Sequence, residues 1–86
     1  MNKELLRQAL IAENFNPRSH SLEEENKDEA LCLRFEDGNW FVFYSERGLQ
    51  TGKESFVDES AACEYFLNEM RSDPTTKSGW KSGFHM

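Results

Sequence analysis

Two histidines, two cysteines and sixteen carboxylates are the side chains of this 86-residue chain with the chemistry for acid–base, nucleophilic or metal work. His20 and His85 lie far apart, and neither has a companion at a metal-ligand spacing. The pattern therefore offers neither a structural zinc site nor a Cys–His nucleophile. Cys32 and Cys63 form no Cys-x-x-Cys pair, and each sits in an apolar stretch. That is the setting of a buried free thiol in a reducing cytoplasm rather than of a disulfide. The carboxylates crowd into charged runs, where a solvated group keeps an ordinary pKa and makes a poor general acid. No catalytic residue, metal ligand or cofactor is expected, and the chain reads as a non-enzyme.

What the carboxylates do form is a field. The net charge is −6, and residues 23–37 hold Glu23, Glu24, Glu25, Asp28, Glu29, Glu36 and Asp37 against only Lys27 and Arg34. The segment around 58–71 adds Asp58, Glu59, Glu64 and Glu69 against Arg71. Such a field repels nucleic acid and anionic membrane and attracts basic proteins. Nucleic-acid binding would require aromatic and basic residues interleaved on a sheet face. Phe41, Phe43 and Arg34 are the nearest approach, and packing beneath a helix accounts for the two phenylalanines better. No apolar run approaches the ~20 residues that span a membrane, and no signal-peptide pattern precedes the first charged residues. Protein–protein binding is the function class that survives, with Trp40 and Tyr44 as aromatic anchors or, with more weight, as core.

The elements that would carry these residues follow from periodicity. Residues 2–15 read as a helix with Asn2 as N-cap and Leu5, Leu6, Ala9, Leu10 and Ile11 on one face, ending near Asn14-Phe15-Asn16-Pro17 with Phe15 folding back over the core. A short strand is expected over 18–22, then a charged loop through Glu29. Ala30–Glu36 and Asn39–Ser45 alternate on either side of Asp37-Gly38, the pair that a type I′ two-residue turn prefers. That turn sets Phe35 against Trp40, Leu33 against Val42 and Leu31 against Tyr44 on one face. Cys32 then stands beside Phe43 and Arg34 beside Phe41 on the other. Leu49–Val57 is a further strand, bulged at Gly52. Asp58 caps a helix over 59–71 whose stripe is Ala62, Cys63, Phe66, Leu67 and Met70, with Val57 as its staple residue. The expected architecture is α+β in the order α-β-β-β-α with one further short strand: a helix, a small antiparallel sheet centred on the hairpin, and a second helix. Residues 1–72 form a single domain, and residues 73–86 a flexible tail.

The run Phe35-Glu36-Asp37-Gly38-Asn39-Trp40-Phe41-Val42-Phe43-Tyr44-Ser45-Glu46-Arg47-Gly48, followed by Phe56 and Asp58-Glu59-Ser60-Ala61-Ala62-Cys63-Glu64-Tyr65-Phe66-Leu67, resembles a known family. It is similar to small bacterial immunity proteins encoded beside polymorphic toxins of the contact-dependent or Rhs type. There a DGxWxVxYxERG hairpin precedes an F…E…ACxxFL helix. The likeness spans roughly residues 30–70. It implies a cytoplasmic, non-catalytic protein that binds and blocks a cognate toxin domain, many such toxins being nucleases with basic active-site surfaces. No binding residue carries over from the family. Charge alone assigns the partner-binding set Glu23, Glu24, Glu25, Asp28, Glu29, Glu46 and Arg47. The alternative is a small acidic adaptor or regulatory domain with a non-toxin partner, and the strand at 49–57 leaves a monomer or a homodimer open.

Overall fold

In the computed structural model, which describes residues 1–22 and 28–73, Asp37 and Gly38 have φ of 52° and 83°. These are the two left-handed positions of a type I′ turn. They join β2 (Ala30–Glu36) to β3 (Asn39–Glu46) in the register expected, from Ala30 opposite Ser45 to Glu36 opposite Asn39. A second two-residue turn follows at once, with Arg47 at φ 55° and Gly48 at φ 80°, and leads into β4 (Leu49–Phe56). The β3–β4 ladder breaks between Val42 and Tyr44, opposite Gly52, whose φ is +61°. Gly52 thus supplies the left-handed residue of the expected bulge.

The sheet is mixed rather than wholly antiparallel. β1 (His20–Ser21) pairs in parallel with Leu31 and Cys32, giving the strand order β1-β2-β3-β4. Residues 17–19 form a 3₁₀ turn, which takes Arg18 and Ser19 out of the strand expected over 18–22, because Asn16 caps Arg18 and Pro17 starts the turn with φ already fixed. β1 is consequently only two residues long.

The helices are α1 (Lys3–Ala12) and α2 (Glu59–Arg71). α1 stops three residues earlier than its apolar pattern suggests. Asn14 adopts φ 61°, Asn14 N donates to Ile11 O and Phe15 N to Leu10 O. This is a Schellman ending, in which Phe15 folds back beside Leu10. Both of those side chains are buried in the core. At the other end, Asn2 Oδ1 accepts from Leu5 N, and Asp58 likewise caps α2 by accepting from Ala61 N. The Val57 staple does not form, since that side chain is 86% exposed. Ile11, placed on the inner face by its spacing, points to solvent as well.

α1 and α2 run parallel. The Glu59 carboxylate accepts from Lys3 N at 2.8 Å at their N-terminal ends, while Arg71 pairs with Glu13 at their C-terminal ends. Both helices cover the same sheet face. Leu6, Leu10, Phe15, Leu33, Val42, Phe66, Leu67 and Met70 meet there in one cluster. Each such large side chain stabilises the fold by about 1.5–3 kcal/mol before entropy is subtracted. The expected helical cover of Phe41 and Phe43 is therefore overturned: among the described residues no helix lies on their face. Cations take that place, with Lys53 Nζ 4.6 Å from the Phe41 ring centroid and the Arg34 guanidinium 5.6 Å from that of Phe43. Alternation fixed which side chains share a face, but it carries no information about which face the helices choose. The face with the larger apolar set won.

Cys32 and Cys63 are both fully buried and unpaired with each other. They stand on opposite sides of the sheet, Cys32 beside Phe43 and Cys63 within the helix-side core. No described helix is long and apolar enough to cross a membrane. The expectation of a flexible tail falls on residues that are, from 74 onward, outside those described.

Candidate protein-binding site

The sheet has two unlike ends. At the Asp37-Gly38 end lie the N-terminal ends of both helices; at the Arg47-Gly48 end lie their C-terminal ends. A helix C-terminus carries a partial negative charge, and two parallel helices add theirs at the same place. Arg71 against Glu13 offsets part of that crowding.

At this second end the chain builds an open pocket of about 440 Å³, lined by Asn16, Arg18, Ser19, Asp28, Glu29, Tyr44 and Asp73. Four separate segments meet there. Asn16 and Ser19 bracket the 3₁₀ turn, and Ser19 Oγ donates to Asn16 O at 2.6 Å. Asp28 and Glu29 are the turn before β2, with Glu29 held at φ 55°. Tyr44 stands on β3 opposite Leu31, and Asp73 follows α2. The Arg47 backbone N–H donates to the Asp28 carboxylate, so the turn before β2 and the turn after β3 are joined.

Tyr44 reports the electrostatics of the pocket. Its hydroxyl is held above its ordinary pKa, first by burial and then by the charges of Glu46, Glu29, Asp73 and Asp28. Four carboxylates therefore act on one phenol. Arg18 is the cation in the lining. Such a site favours a cationic group from outside, with the Tyr44 ring available for cation–π contact. The Cys63 thiol is pushed up to about 11, chiefly by burial, and lies in the core away from the pocket. Among the described residues no group of three His, Cys, Asp or Glu side chains converges on a metal position.

Of the seven residues assigned from charge, Asp28, Glu29, Glu46 and Arg47 come together at this end. Glu23, Glu24 and Glu25 lie outside the described residues. Arg47 takes part through its backbone N–H, as a turn residue rather than as a charge. Sequence reasoning did not assign Asn16, Arg18, Ser19 and Asp73, because only the fold brings the loop after α1 and the end of α2 to β3. Tyr44 and Trp40, alike in sequence as anchors or core, are separated by the structure. Tyr44 is 38% exposed at the pocket, whereas Trp40 is half-buried against the core at the other end of the sheet. On the helix-free face Phe43 is only 3% exposed, which leaves its ring no room to stack on a base.

Comparison of the chain with protein-family models, with curated proteins and with solved structures finds no match.

Proposed function

We propose that this chain is a non-catalytic inhibitor that binds and blocks a basic protein partner through the acidic end of its sheet. In the reading that the hairpin and helix motifs imply, the partner is the cognate toxin domain of a small bacterial immunity protein. The observation that carries the proposal is the convergence of Asp28, Glu29 and Asp73 around Tyr44 in one open pocket, beside the C-termini of both helices. A nuclease domain is the complementary chemistry, because a surface that grips phosphates is basic. An acidic inhibitor occupies such a surface by standing in for the phosphates. The protein acts by occlusion, so it needs no reacting group.

Co-expression with the product of the neighbouring gene tests the proposal. Rescue of the cell from that product's toxicity, with a one-to-one complex recovered, is the expected result. Absence of both rescue and complex would sink it. A stable complex with a basic protein that is not toxic would transfer the site to the adaptor reading.

A further inference from the structure

At the opposite end of the sheet a row of aromatic rings stays partly uncovered. Phe35 pairs with Trp40, and Trp40 with Phe56, so the three stand side by side across β2, β3 and β4 on the helix side. The Phe35 and Trp40 centroids are 4.8 Å apart. Tyr65 of α2 closes the row, its ring 5.2 Å from that of Phe56. Trp40, Phe56 and Tyr65 are half-buried, but Phe35 is 50% exposed. The cause lies in the topology. β1 pairs only with Leu31 and Cys32, so among the described residues no strand flanks β2 at Phe35.

The rim of this row is acidic. Glu54 pairs with Val42 and therefore shares the side of Phe56, while Asp37 stands in the turn just beyond the Phe35–Trp40 pair. Glu69 and Glu54 both lie close enough to Tyr65 to add to the effect of burial in raising its hydroxyl pKa. Across two inter-strand steps the row extends about 10 Å, enough for a short extended segment to cross it. A planar guanidinium on an aliphatic stem suits such a place: the stem packs on rings, and the charge meets both ring faces and carboxylates.

We propose that the row of Phe35, Trp40, Phe56 and Tyr65 is a second docking surface, which takes an arginine-bearing segment of a partner protein. It stands apart from the pocket at Tyr44, which lies four residues along β3 from Trp40, about 13 Å away. The two surfaces therefore engage separate parts of a partner, and this one does not depend on the toxin reading.

Trp40 makes the proposal measurable. With Trp80→Phe removing the second indole, the full chain is titrated with a short arginine–glycine peptide and with the same peptide carrying neutral citrulline for arginine. The Trp40 emission should shift saturably with the arginine peptide and stay unchanged with the citrulline one. Phe35→Ser should abolish the response, and Glu54→Lys should weaken it at least threefold. Asp28→Lys with Asp73→Lys should leave it intact. Unchanged far-ultraviolet circular dichroism and thermal midpoint certify the fold of each variant, and Phe35→Leu serves in place of the serine variant if that one unfolds. No response, an equal response to citrulline, or loss through the pocket variants but not through Phe35 would overturn the proposal.

Discussion

The backbone N–H of Arg47 donates to the carboxylate of Asp28, nineteen residues earlier, and so ties the turn leaving β3 to the turn entering β2. That bond anchors Asp28, one of the carboxylates that line the acidic pocket. It also makes Asp28 both a structural residue and a candidate contact, and these roles separate by mutation.

Asp28→Ala removes the acceptor and should cost about 1 kcal/mol, the low end for a charge-assisted bond because the site is exposed. Arg47→Gly keeps the donor and relieves a non-glycine residue at φ 55°. It should stabilise by about 0.5–1 kcal/mol. Urea unfolding of the two variants should therefore move in opposite directions. A loss of stability in Arg47→Gly would mean that the Arg47 side chain makes a contribution larger than its backbone strain.

Gly52 is the second backbone test. A Cβ there meets nothing within 4 Å, yet φ is +61°. Gly52→Ala should thus cost about 1–2 kcal/mol from conformation alone, read as a lower thermal midpoint. The neighbouring exposed change Ser55→Ala should fall within about 0.5 kcal/mol of the parent. Equal effects would remove the bulge from the forces that set the β3–β4 register.

Across α1 and α2, Glu59→Gln retains an acceptor for Lys3 N, whereas Glu59→Ala leaves that helix-start donor to water. The alanine variant should lose about 1 kcal/mol and the glutamine variant less than half of that. Chemical denaturation of both, compared with the parent, checks the order. Equal losses would assign the effect to charge rather than to the cap.

Cys63 sets an alkaline limit. Burial first, then Glu59, pushes its thiol from 9.0 up to about 11. The unfolded chain ionises this thiol first, so the native state's preference for the neutral form is fully present below pH 9. It is lost as pH rises through about 11, a contribution on the order of 2–3 kcal/mol. Stability of the parent should fall more steeply between pH 8 and 10.5 than that of Cys63→Ala. Parallel slopes would show that Cys63 does not govern this window.

How much of this was legible in the chain depends on the reach of each signal. Asp37-Gly38 is local, and it specified every pairing from Ala30–Ser45 to Glu36–Asn39. Asp58 and the stripe from Ala62 to Met70 specified α2 in the same way. Gly48 marks a left-handed turn position after β3, but the two-residue type was not legible, because arginine carries no preference for positive φ and the Asp28 carboxylate that holds Arg47 is distant in sequence. The stop near Asn14 and the return of Phe15 to the core were legible from the Asn14-to-Pro17 run, whereas Ile11, whose apolar character extends the stripe, points to solvent. The pocket was half legible: charge indicated Asp28, Glu29 and Glu46, but Asp73, Asn16 and Tyr44 join them only once α1 and α2 lie parallel over one face. That no described helix lies over Phe41 and Phe43 was unreadable for the same reason.

The most direct test of the acidic pocket as the docking site is calorimetric titration of the partner into the parent and into Asp28→Lys with Glu29→Lys, from 50 to 300 mM salt. The parent affinity should fall at least tenfold over that range, and the double variant should bind at least tenfold more weakly at low salt with a shallower salt slope. Equal affinity and equal slope in the two proteins would contradict the assignment and leave the acidic end a solubility device.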